Sequence, residues 1–414
     1  MCFDNRNKKW YDTLKNNGAK AAGKGDMMTQ DIEVKKEHKA GKIVLRVLLI
    51  LGILLVLLLS FLVFSYFHLM SFYTTPQKED DRGRLYYMEY TGDYDSPFVT
   101  FIFDKLKPVR DGGCSAFYTA STDGGYRTGR NYDLAHKDKN GNTTGLNLVI
   151  RCNPKGRYRS VALADIAMLS RIGLDYAEGS LDEGKLTDVL LALSPYICVD
   201  GINEKGLSVS VLALDLKEGE TAVFQTDEGK DSDIITGLLR QILDNCASVD
   251  EAVELAENRN LINTFGADYH MFVTDDSGKS AVLEWRNNTL VVTYTDIVTN
   301  FYVAFDDAED CYRNGALKEA YIPPESNPGN YRFGYGHGYE RFKKIMSYKA
   351  ENAPDGTLAM SNDEIKELLH SVTQEYTGEL TSLTQYSAIY DNTDRCVDIY
   401  VNPDYSTVYH YDVE

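Results

Sequence analysis

The sequence predicts an α+β domain, built from sheets covered by helices and preceded by a single membrane-spanning helix. The helix is predicted because Val47–Phe67 forms 21 consecutive uncharged, mainly aliphatic residues. The α+β domain is predicted because strand-like runs alternate with amphipathic helical segments from Cys114 onwards. A chain of 414 residues, 43% of them hydrophobic, is long enough for one large folded domain with appendages.

A helix as long as Val47–Phe67 extends roughly 30 Å, which matches the hydrocarbon core of a bilayer. A cleaved signal peptide is the alternative, but its apolar region has ~7–15 residues and ends at small residues. Five basic residues closely precede the run, namely Lys35, Lys36, Lys39, Lys42 and Arg46, whereas Lys78, Arg82 and Arg84 follow it and are mixed with Glu79, Asp80 and Asp81. The positive-inside rule therefore predicts a single-pass protein of the cell membrane, with a cytoplasmic N-terminus and the large domain outside the cell.

The chain divides into four predicted parts. A polar cytoplasmic tail is followed by the membrane anchor, by an intermediate segment and by the main domain: 1–42, 43–70, 71–113 and 114–414. The intermediate segment contains the strand-like stretches Tyr86–Tyr90 and Phe98–Phe103. It ends at Asp111-Gly112-Gly113, which is typical of a turn.

The main domain is predicted to open with a β-hairpin. Ser115–Ser121 and Tyr126–Tyr132 flank the turn sequence Thr122-Asp123-Gly124-Gly125. Capping boxes predict two helices, and a third helical run is also present: Ala252–Asn258, Ile365–Val372 and Asp231–Leu243. Apolar runs predict further strands: Leu146–Arg151, Leu207–Leu214, Tyr269–Thr274, Ala281–Trp285, Leu290–Tyr294, Ile297–Tyr302, Tyr386–Tyr390, Val397–Val401 and Ser406–Tyr411.

Charge and composition exclude some classes of function. A net charge of −19 repels phosphate backbones, so we expect no nucleic-acid partner. The seven cysteines and seven histidines show no CxxC pair and no short metal-ligand spacing. We therefore expect neither a metal ion nor another cofactor, while disulfides in a domain outside the cell stay open.

Cys114 is the residue on which the chemical prediction depends. A single cysteine is usually structural, but this one follows Gly112-Gly113 and begins a strand. The predicted hairpin brings Arg130 and Asp133 back beside it. A nearby guanidinium favours the thiolate, which is the nucleophilic form of cysteine. A hairpin ion pair between Arg130 and Asp133 with no catalytic role is the structural alternative.

Several motifs resemble the choloylglycine hydrolase and penicillin V acylase family of N-terminal-nucleophile hydrolases. Cys114-Ser115-Ala116-Phe117 and Gly129-Arg130-Asn131-Tyr132-Asp133 resemble its opening, in which the arginine and the aspartate follow the cysteine after 16 and 19 positions. The remaining motifs follow in the order of the family, and the resemblance covers essentially 114–414. They are Asp200-Gly201-Ile202-Asn203-Glu204-Lys205-Gly206-Leu207, Val298-Thr299-Asn300, Glu340-Arg341-Phe342 and Leu383-Thr384-Gln385-Tyr386-Ser387.

The resemblance implies a four-layer αββα sandwich and the hydrolysis of linear amides in N-acyl small molecules. Cys114 would be the nucleophile, and its own α-amine, with a reference pKa of about 7.7–8.0, would be the general base. Arg130 would stabilise the thiolate, and Asp133 would orient the amine. The Asn300 amide would bind the oxyanion, and Arg341 would complete the polar site. Asn203 is expected to be a turn residue.

The sequence departs from the family in two places. First, 113 residues precede Cys114, so its α-amine exists only after cleavage of the Gly113–Cys114 bond. Related acid amidases of the ceramidase kind cleave such a prosegment themselves, which predicts autoproteolysis with 71–113 as the prosegment. Second, bile salt hydrolases have an asparagine where this chain has Ala213, so that only the backbone N–H of Ala213 is left as an oxyanion donor.

Two other functions stay open at this stage. A papain-like protease would need a Cys-Gly-x-Cys-Trp motif around Cys114, which is absent. An unprocessed, catalytically silent surface protein that binds acyl ligands would not need the cysteine, arginine, aspartate and asparagine together. Candidate substrates are conjugated bile acids, phenoxyacetyl penicillins, N-acyl homoserine lactones and fatty-acid amides. The oligomeric state is not predicted.

Overall fold

The structure is a computed structural model in which two compact units are described separately. The first unit ends at His68 and the second covers Leu69–Glu414. Described residues are 42, 44–61, 63, 64, 67, 68, 71–92 and 113–414, the last range with gaps at 173, 175, 178–179, 182–183, 217–218, 264–266, 304–333, 354–357 and 379–382. The predicted strand Phe98–Phe103 lies outside the described residues.

The first unit contains the predicted apolar helix. Its 18-residue core, Val44–Phe61, is long enough and apolar enough to cross a membrane. Its apolar side chains are exposed. An apolar surface of this size is stable in lipid rather than in water.

The second unit contains 24 described strands and five described α-helices. In chain order the strands are β1 (Gln77–Lys78), β2 (Leu85–Tyr90), β3 (Gly113–Ser121), β4 (Tyr126–Asp133), β5 (His136–Lys137), β6 (Thr143–Thr144), β7 (Asn147–Cys152), β8 (Ser160–Asp165), β9 (Tyr176–Ala177), β10 (Ser180–Leu181), β11 (Cys198–Asn203), β12 (Ser208–Leu214), β13 (Asp231–Asp233), β14 (Arg259–Leu261), β15 (Asp268–Thr274), β16 (Ser280–Arg286), β17 (Thr289–Tyr294), β18 (Ile297–Val298), β19 (Asn300–Phe301), β20 (Gly336–His337), β21 (Ala359–Met360), β22 (Thr384–Asp391), β23 (Cys396–Val401) and β24 (Tyr409–Asp412). The helices are α1 (Lys185–Leu191), α2 (Ile235–Asn245), α3 (Val249–Glu257), α4 (Tyr339–Asn352) and α5 (Asn362–Ser371), with 3₁₀ turns at Ile166–Ile172 and Ser194–Ile197.

Two large sheets form the centre of this unit. Sheet A has nine strands in the order β1-β2-β7-β8-β11-β12-β15-β16-β17, and sheet B contains β18-β3-β4-β22-β23-β24 with β21 beside β3. Most neighbours are antiparallel, but β2 is parallel to β7 and β21 is parallel to β3.

Alternation along the strands of sheet A produces the layers. Leu148 and Ile150 face a core shared with α2, whereas Val149 faces a second core that also contains residues of sheet B. Successive strand residues point to opposite faces, so each strand contributes to both cores. The second core continues to Phe342 of α4 and Ile365 of α5. The layers are therefore helix, sheet, sheet and helix, which confirms the predicted αββα sandwich.

Helix caps agree with the sequence patterns in part. Ser361 and Glu364 form a reciprocal capping box at α5. At α3 the Ser248 side chain accepts from the Glu251 N–H, but the Glu251 carboxylate binds the Ala247 N–H instead of completing the box.

Three of the predicted elements differ from the structure for reasons that their contacts explain. The predicted helix Asp231–Leu243 is wrong at its start, because Asp231–Asp233 pairs with Arg259–Leu261 as a short parallel strand and the helix begins at Ile235. The last strand begins at Tyr409 rather than Ser406, because Asp404 accepts from Ser406 in a polar turn. The predicted strand Ile297–Tyr302 is interrupted at Thr299.

The strand with which this part of the chain pairs changes at Thr299. Ile297 and Val298 pair with β3, whereas Asn300 and Phe301 pair with β20. The Thr299 hydroxyl donates to the Gly338 carbonyl at 3.2 Å, and His270 Nε2 lies 2.7 Å from the Thr299 carbonyl oxygen. These contacts hold the backbone where Asn300 leaves sheet B.

Candidate active site

Cys114 lies at the start of β3, on the strand that pairs with β4. The register places Cys114 opposite Tyr132, Gly113 opposite Asp133 and Ala116 opposite Arg130. Cys114 is buried, with 3% of its surface exposed. The predicted hairpin is confirmed, and it brings Arg130 and Asp133 of β4 to the end of the hairpin at which the Cys114 thiol lies.

Arg130 is fully buried and forms an ion pair across the two sheets. Its Nε lies 3.1 Å from Asp200 Oδ2, and its Nη2 donates to the Val211 carbonyl at 2.7 Å. Asp200 also accepts from the hydroxyls of Tyr386 at 2.7 Å and Tyr390 at 2.5 Å. The ion pair of Arg130 is therefore with Asp200 and not with Asp133, the partner that the structural alternative supposed.

Asp133 is held by three side chains, which come from β22, from the loop after α5 and from α4. Thr384 donates to Oδ1 at 2.6 Å, and Gln374 donates to Oδ2 at 2.6 Å. Arg341 Nη1 lies 3.4 Å from Oδ2. The Cys114 backbone N–H does not use this carboxylate as its acceptor; its hydrogen bond goes to Asn300.

Asn300 links Cys114 to sheet A. Its Oδ1 accepts the Cys114 backbone N–H at 2.7 Å, and its Nδ2 donates to the Ala213 carbonyl at 2.8 Å. His270 supports this position, because its Nδ1 lies 2.9 Å from Glu284 Oε1 while its Nε2 holds the Thr299 carbonyl. All of these side chains are fully buried except Cys114 and Ala213, which are nearly so.

Arg341 enters the site from the first turn of α4. Its Nη1 donates to the Cys114 carbonyl and to Ser115 Oγ at 2.8 Å, and its Nη2 donates to Asn300 Oδ1 at 2.9 Å. Gly338 precedes the helix with φ of 88°, and a Cβ there would lie 2.8 Å from the Arg341 guanidinium. Glycine is therefore favoured both by the backbone and by the space the arginine needs.

A pocket opens beside the thiol. Its cavity volume is about 50 Å³, or about 500 Å³ when the space open to solvent is included. Cys114, Asp133 and Ala213 contribute to its wall, and most of the remaining surface is apolar: Tyr132, Leu134, Met168, Val199, Val211, Ile235, Thr236 and Tyr269.

Burial determines the resting electrostatics of the uncleaved site. Burial raises the pKa of the Cys114 thiol above its ordinary value of 9.0, although the guanidinium of Arg130 opposes this. Burial also raises the pKa of Asp133 above 3.8, against the opposing effects of Arg341, Thr384 and Gln374. A thiol pKa above 9.0 means that Cys114 of the uncleaved chain is protonated at neutral pH, although Arg130 lies beside it.

The structure brings all the residues selected from the sequence into one cluster. Cys114, Arg130, Asp133, Asn300 and Arg341 surround the same strand end. Sequence reasoning missed Asp200 and Tyr386 as members of this network, though both stand in quoted motifs. It also missed Gln374, for which the sequence has no signal. Asn203 forms a turn, as expected: its Oδ1 accepts from the N–H groups of Lys205 and Leu207.

Away from this site, one group of described side chains has the residue types that could hold a metal ion. Cys396, His410 and Asp412 on β23 and β24 have ligand atoms within 4.8 Å of one another. His410 is already paired with Asp398 at 2.7 Å and with Asp412 at 3.3 Å. Burial raises the pKa of Cys396 to about 12, with the nearby aspartates adding to the shift. This group is explained as a surface ion-pair cluster. The described cysteines, including Cys114, form no disulfide.

Comparison with known protein families identifies the chain. Residues 122–404 match the family model described as acyl-coenzyme A:6-aminopenicillanic acid acyl-transferase. The chain belongs to this family. This membership agrees with the family that the motifs predicted. The matched range 122–404 includes Arg130, Asp133, Asn300 and Arg341, whereas Cys114 lies before its first residue.

Solved structures similar to this acyl-transferase family member include two amidohydrolases. A variant of conjugated bile acid hydrolase from Clostridium perfringens is 17% identical with a TM-score of 0.44, and the match covers 72% of this chain and 92% of that one. Penicillin V acylase from Agrobacterium tumefaciens is 18% identical with a TM-score of 0.45, covering 72% and 86% respectively. No curated protein sequence is detectably similar to this chain.

Proposed function

We propose that this protein is a membrane-anchored hydrolase of linear amide C–N bonds in N-acyl small molecules, with Cys114 as its nucleophile after cleavage of the Gly113–Cys114 bond. The observation that carries the proposal is the convergence of Arg130, Asp133, Asn300 and Arg341 on one buried cysteine beside an apolar pocket. Family membership supports acyl chemistry at this site.

The reaction follows from the two groups that Cys114 would present. Its thiol loses a proton to its own α-amine, and Sγ attacks the carbonyl carbon of the substrate amide. The protonated α-amine returns the proton to the leaving amine, which leaves a thioester on Cys114. Water then attacks the thioester, with the amine again accepting a proton. Arg130, charged through its pairing with Asp200, favours the thiolate.

Asp133 and Asn300 are suited to orient the new terminus. Gly113 pairs with Asp133 in the strand register, and Arg341 Nη1 contacts both the Asp133 carboxylate and the Cys114 carbonyl, so the carboxylate lies near the terminus that cleavage would free. Asn300 Oδ1 already accepts a hydrogen bond from that nitrogen. An α-amine held by two acceptors would direct its lone pair to the thiol of the same residue.

The oxyanion would be stabilised by Asn300 Nδ2 and the Ala213 N–H. In an extended strand, the N–H and C=O of one residue point to the same side. The Ala213 carbonyl points at Asn300 Nδ2, so its N–H faces the same side of β12. The Ala213 N–H and the second N–H of Asn300 Nδ2, whose first donates to the Ala213 carbonyl, are therefore candidate oxyanion donors at the pocket that Cys114 and Ala213 both line.

Activation would use the same sulfur. Sγ of Cys114 attacks the Gly113 carbonyl carbon, the peptide nitrogen leaves as the α-amine of Cys114, and the resulting thioester is hydrolysed by water. Arg341 contacts Ser115 Oγ and the Cys114 carbonyl, so the strand next to the scissile bond is held rigidly. Gly113 leaves its carbonyl open to attack because it has no side chain.

The mostly apolar pocket favours an apolar acyl group, and the helix Val44–Phe61 favours an active site at a membrane surface. The distribution of basic residues favours a catalytic domain on the outer side of that membrane. Amphipathic N-acyl compounds combine these two properties. We therefore propose a panel of penicillin V, a conjugated bile acid, an N-acyl homoserine lactone and a fatty-acid amide as test substrates.

The test combines mass spectrometry of the purified full chain with this panel. We expect a C-terminal fragment that begins at Cys114 and hydrolysis of at least one amide. Cys114→Ala should abolish both, and Cys246→Ala, at a buried cysteine of α2's C-terminus, should abolish neither. Hydrolysis by the Cys114→Ala variant would refute the assignment of the nucleophile. An intact and inactive chain would favour the silent acyl-binding protein.

Acyl transfer is a second candidate function, because the matched family is named for it. The same thioester would react with an amine acceptor in place of water. Adding 6-aminopenicillanic acid to the hydrolysis assay distinguishes the two functions: a transferase forms the new amide, whereas a hydrolase releases the free acid at an unchanged rate.

A further inference from the structure

A second pocket, which we call the polar pocket, lies in the same unit as the active site. Its cavity volume is about 400 Å³, which is enough for a small organic molecule. The wall comes from the loop after β12, the start of β15, the end of β16 with the turn that follows it, and the residue after β19: Gly219, Glu220, Thr221, Val223, Asp268, Trp285, Arg286, Asn287, Asn288 and Tyr302. None of these residues lines the pocket of Cys114, so the polar pocket is a separate site.

Hydrogen bonds tie the walls of the polar pocket together. Asp268 Oδ1 accepts the Val223 N–H at 3.0 Å, and Asp268 Oδ2 accepts the Tyr302 hydroxyl at 2.9 Å. Asn288 Oδ1 accepts the Phe224 N–H at 3.0 Å, which joins the loop after β12 to the turn after β16. The walls are therefore in place before a ligand enters, which reduces the entropic cost of binding.

The turn after β16 fixes the end of that strand in the wall. Asn287 and Asn288 have φ of 49° and 61°, a left-handed region that asparagine adopts more readily than most residues. These two residues connect Arg286 to Thr289, which pair with each other across β16 and β17. Such a two-residue turn sets the register of a hairpin, so the position of Arg286 follows from the local sequence.

The wall contains charges of both signs. The Arg286 guanidinium lies over the Tyr302 ring, with its carbon 4.4 Å from the ring centroid. Glu220 is an exposed residue of the wall. Burial raises the pKa of Asp268 above its ordinary value of 3.8, and the negative charge of Glu220 adds to this effect. A ligand with one positive and one negative group complements such a wall better than a ligand with a single charge.

One donor of the wall has no hydrogen-bond partner among the residues that the structure describes. It is Nε1 of Trp285, whose side chain is 2% exposed. A buried N–H without an acceptor is unfavourable, and a ligand that supplies an acceptor removes this penalty. A carboxylate accepts hydrogen bonds both from an indole N–H and from a guanidinium such as that of Arg286.

We propose that the polar pocket binds a small zwitterion of the α-amino acid class. The carboxylate of the ligand accepts hydrogen bonds from Trp285 Nε1 and from Arg286, and its ammonium group pairs with Glu220. An apolar ligand is disfavoured because it leaves these polar groups unpaired. The proposal does not rest on the proposed function, since the wall contains none of the residues around Cys114.

Tryptophan fluorescence reports on this pocket directly. The chain has two tryptophans, Trp10 and Trp285, so Trp10→Phe leaves the residue of the wall as the single tryptophan. The full chain with Trp10→Phe and Cys114→Ala, in detergent and phosphate buffer, is titrated with L-alanine, L-serine, L-glutamine and L-phenylalanine. The Cys114→Ala change makes the measurement independent of any hydrolysis.

We expect a saturable change in emission with at least one of the four amino acids, and the same Kd by isothermal titration calorimetry. Absence of binding of all four by both methods would overturn the proposal. Derivatives of the amino acid that binds then test its two charges: the carboxamide lacks the negative charge, and the N-acetyl form lacks the positive charge. Each should bind at least about 10-fold more weakly, and equal binding of either derivative would refute the recognition of a zwitterion.

Two variants test the wall from the side of the protein. Arg286→Gln and Glu220→Gln each remove one charge, and each should raise the Kd at least about 10-fold. Glu228→Gln is the matched control, because it removes an exposed charge from the same connection between β12 and β13 but outside the wall, and it should leave the Kd unchanged. Arg286→Gln also removes the contact with Tyr302 and can affect folding. Since Glu220 is exposed, an unchanged Kd in Glu220→Gln would by itself overturn the proposal.

Discussion

Replacing Arg130 by methionine separates the structural from the catalytic role of its ion pair. Arg130 and Asp200 are both fully buried. Methionine keeps much of the volume but leaves the Asp200 carboxylate with two tyrosine hydroxyls as its remaining partners. Removing one partner of a buried ion pair costs about 3–5 kcal/mol. At about 2 °C per kcal/mol for a large domain, Tm should fall by about 6–10 °C.

The second effect concerns the thiol. Arg130 is the cation that lowers the pKa of Cys114 against the effect of burial, so its loss leaves the thiol more firmly protonated. We therefore expect Arg130→Met to lose both self-cleavage and amide hydrolysis. The double variant Arg130→Met/Asp200→Asn removes the stranded charge, so most of the lost Tm should return while both activities stay absent.

Arg127 provides the matched control. It lies on the same strand and is paired with Asp391 at 2.8 Å, with both side chains largely buried, but it pairs in register with Thr119 at the other end of the hairpin. Arg127→Met should lower Tm and leave both activities in place. Calorimetry of the detergent-solubilised chain and an amide hydrolysis assay measure the two quantities. Recovery of activity in the double variant would refute the role of Arg130.

Three further predictions concern the same site. In the self-cleaved enzyme, Asn300→Ala should reduce kcat about 10²–10³-fold with a small change in KM, because it removes an oxyanion donor. Steady-state kinetics with the best amide of the panel measures this, and an unchanged kcat would contradict the prediction. In an uncleaved chain made by Gly113→Pro, iodoacetamide should modify Cys114 slowly at pH 7 and faster only above pH 9, because burial raises the thiol pKa. Peptide mass spectrometry measures the labelling, and fast labelling at pH 7 would refute a protonated thiol in the uncleaved chain. Burial raises the pKa of Asp133 above 3.8, so the folded chain binds this proton more tightly than the unfolded chain, and the carboxyl contributes most to stability below pH 3.8 and less as pH rises through the raised pKa. The stability of Asp133→Asn relative to wild type should therefore increase over that pH range. Denaturant titrations measure this, and a constant difference would exclude the pKa shift.

Local patterns were sufficient to predict the elements and many of the site residues. The hairpin around Thr122-Asp123-Gly124-Gly125 was predicted within one or two residues, because alternation and turn chemistry are properties of neighbouring residues. The spacing of Arg130 and Asp133 from Cys114 was sufficient to predict that they share one strand end. The αββα layers followed from the family resemblance rather than from the strand patterns.

Several features were not predictable because they depend on contacts between distant residues. The true ion-pair partner of Arg130 is 70 residues away on the other sheet. The interruption of the predicted strand at Thr299 depends on His270 and Gly338, which hold the backbone from outside the segment. A pattern read along Ile297–Tyr302 contains neither neighbour, so it predicts one continuous strand.

The sequence by itself predicted the candidate site residues and the apolar helix, since the order of motifs after Cys114 and the length of Val47–Phe67 are linear properties of the chain. Only the tertiary structure decided which groups meet: Asn300 with the Cys114 nitrogen, Asp200 with Arg130, and β2 with β7. Long-range strand pairing and the satisfaction of buried polar groups are selected by the whole fold, because a buried charge or strand edge takes the partner that packing brings to it.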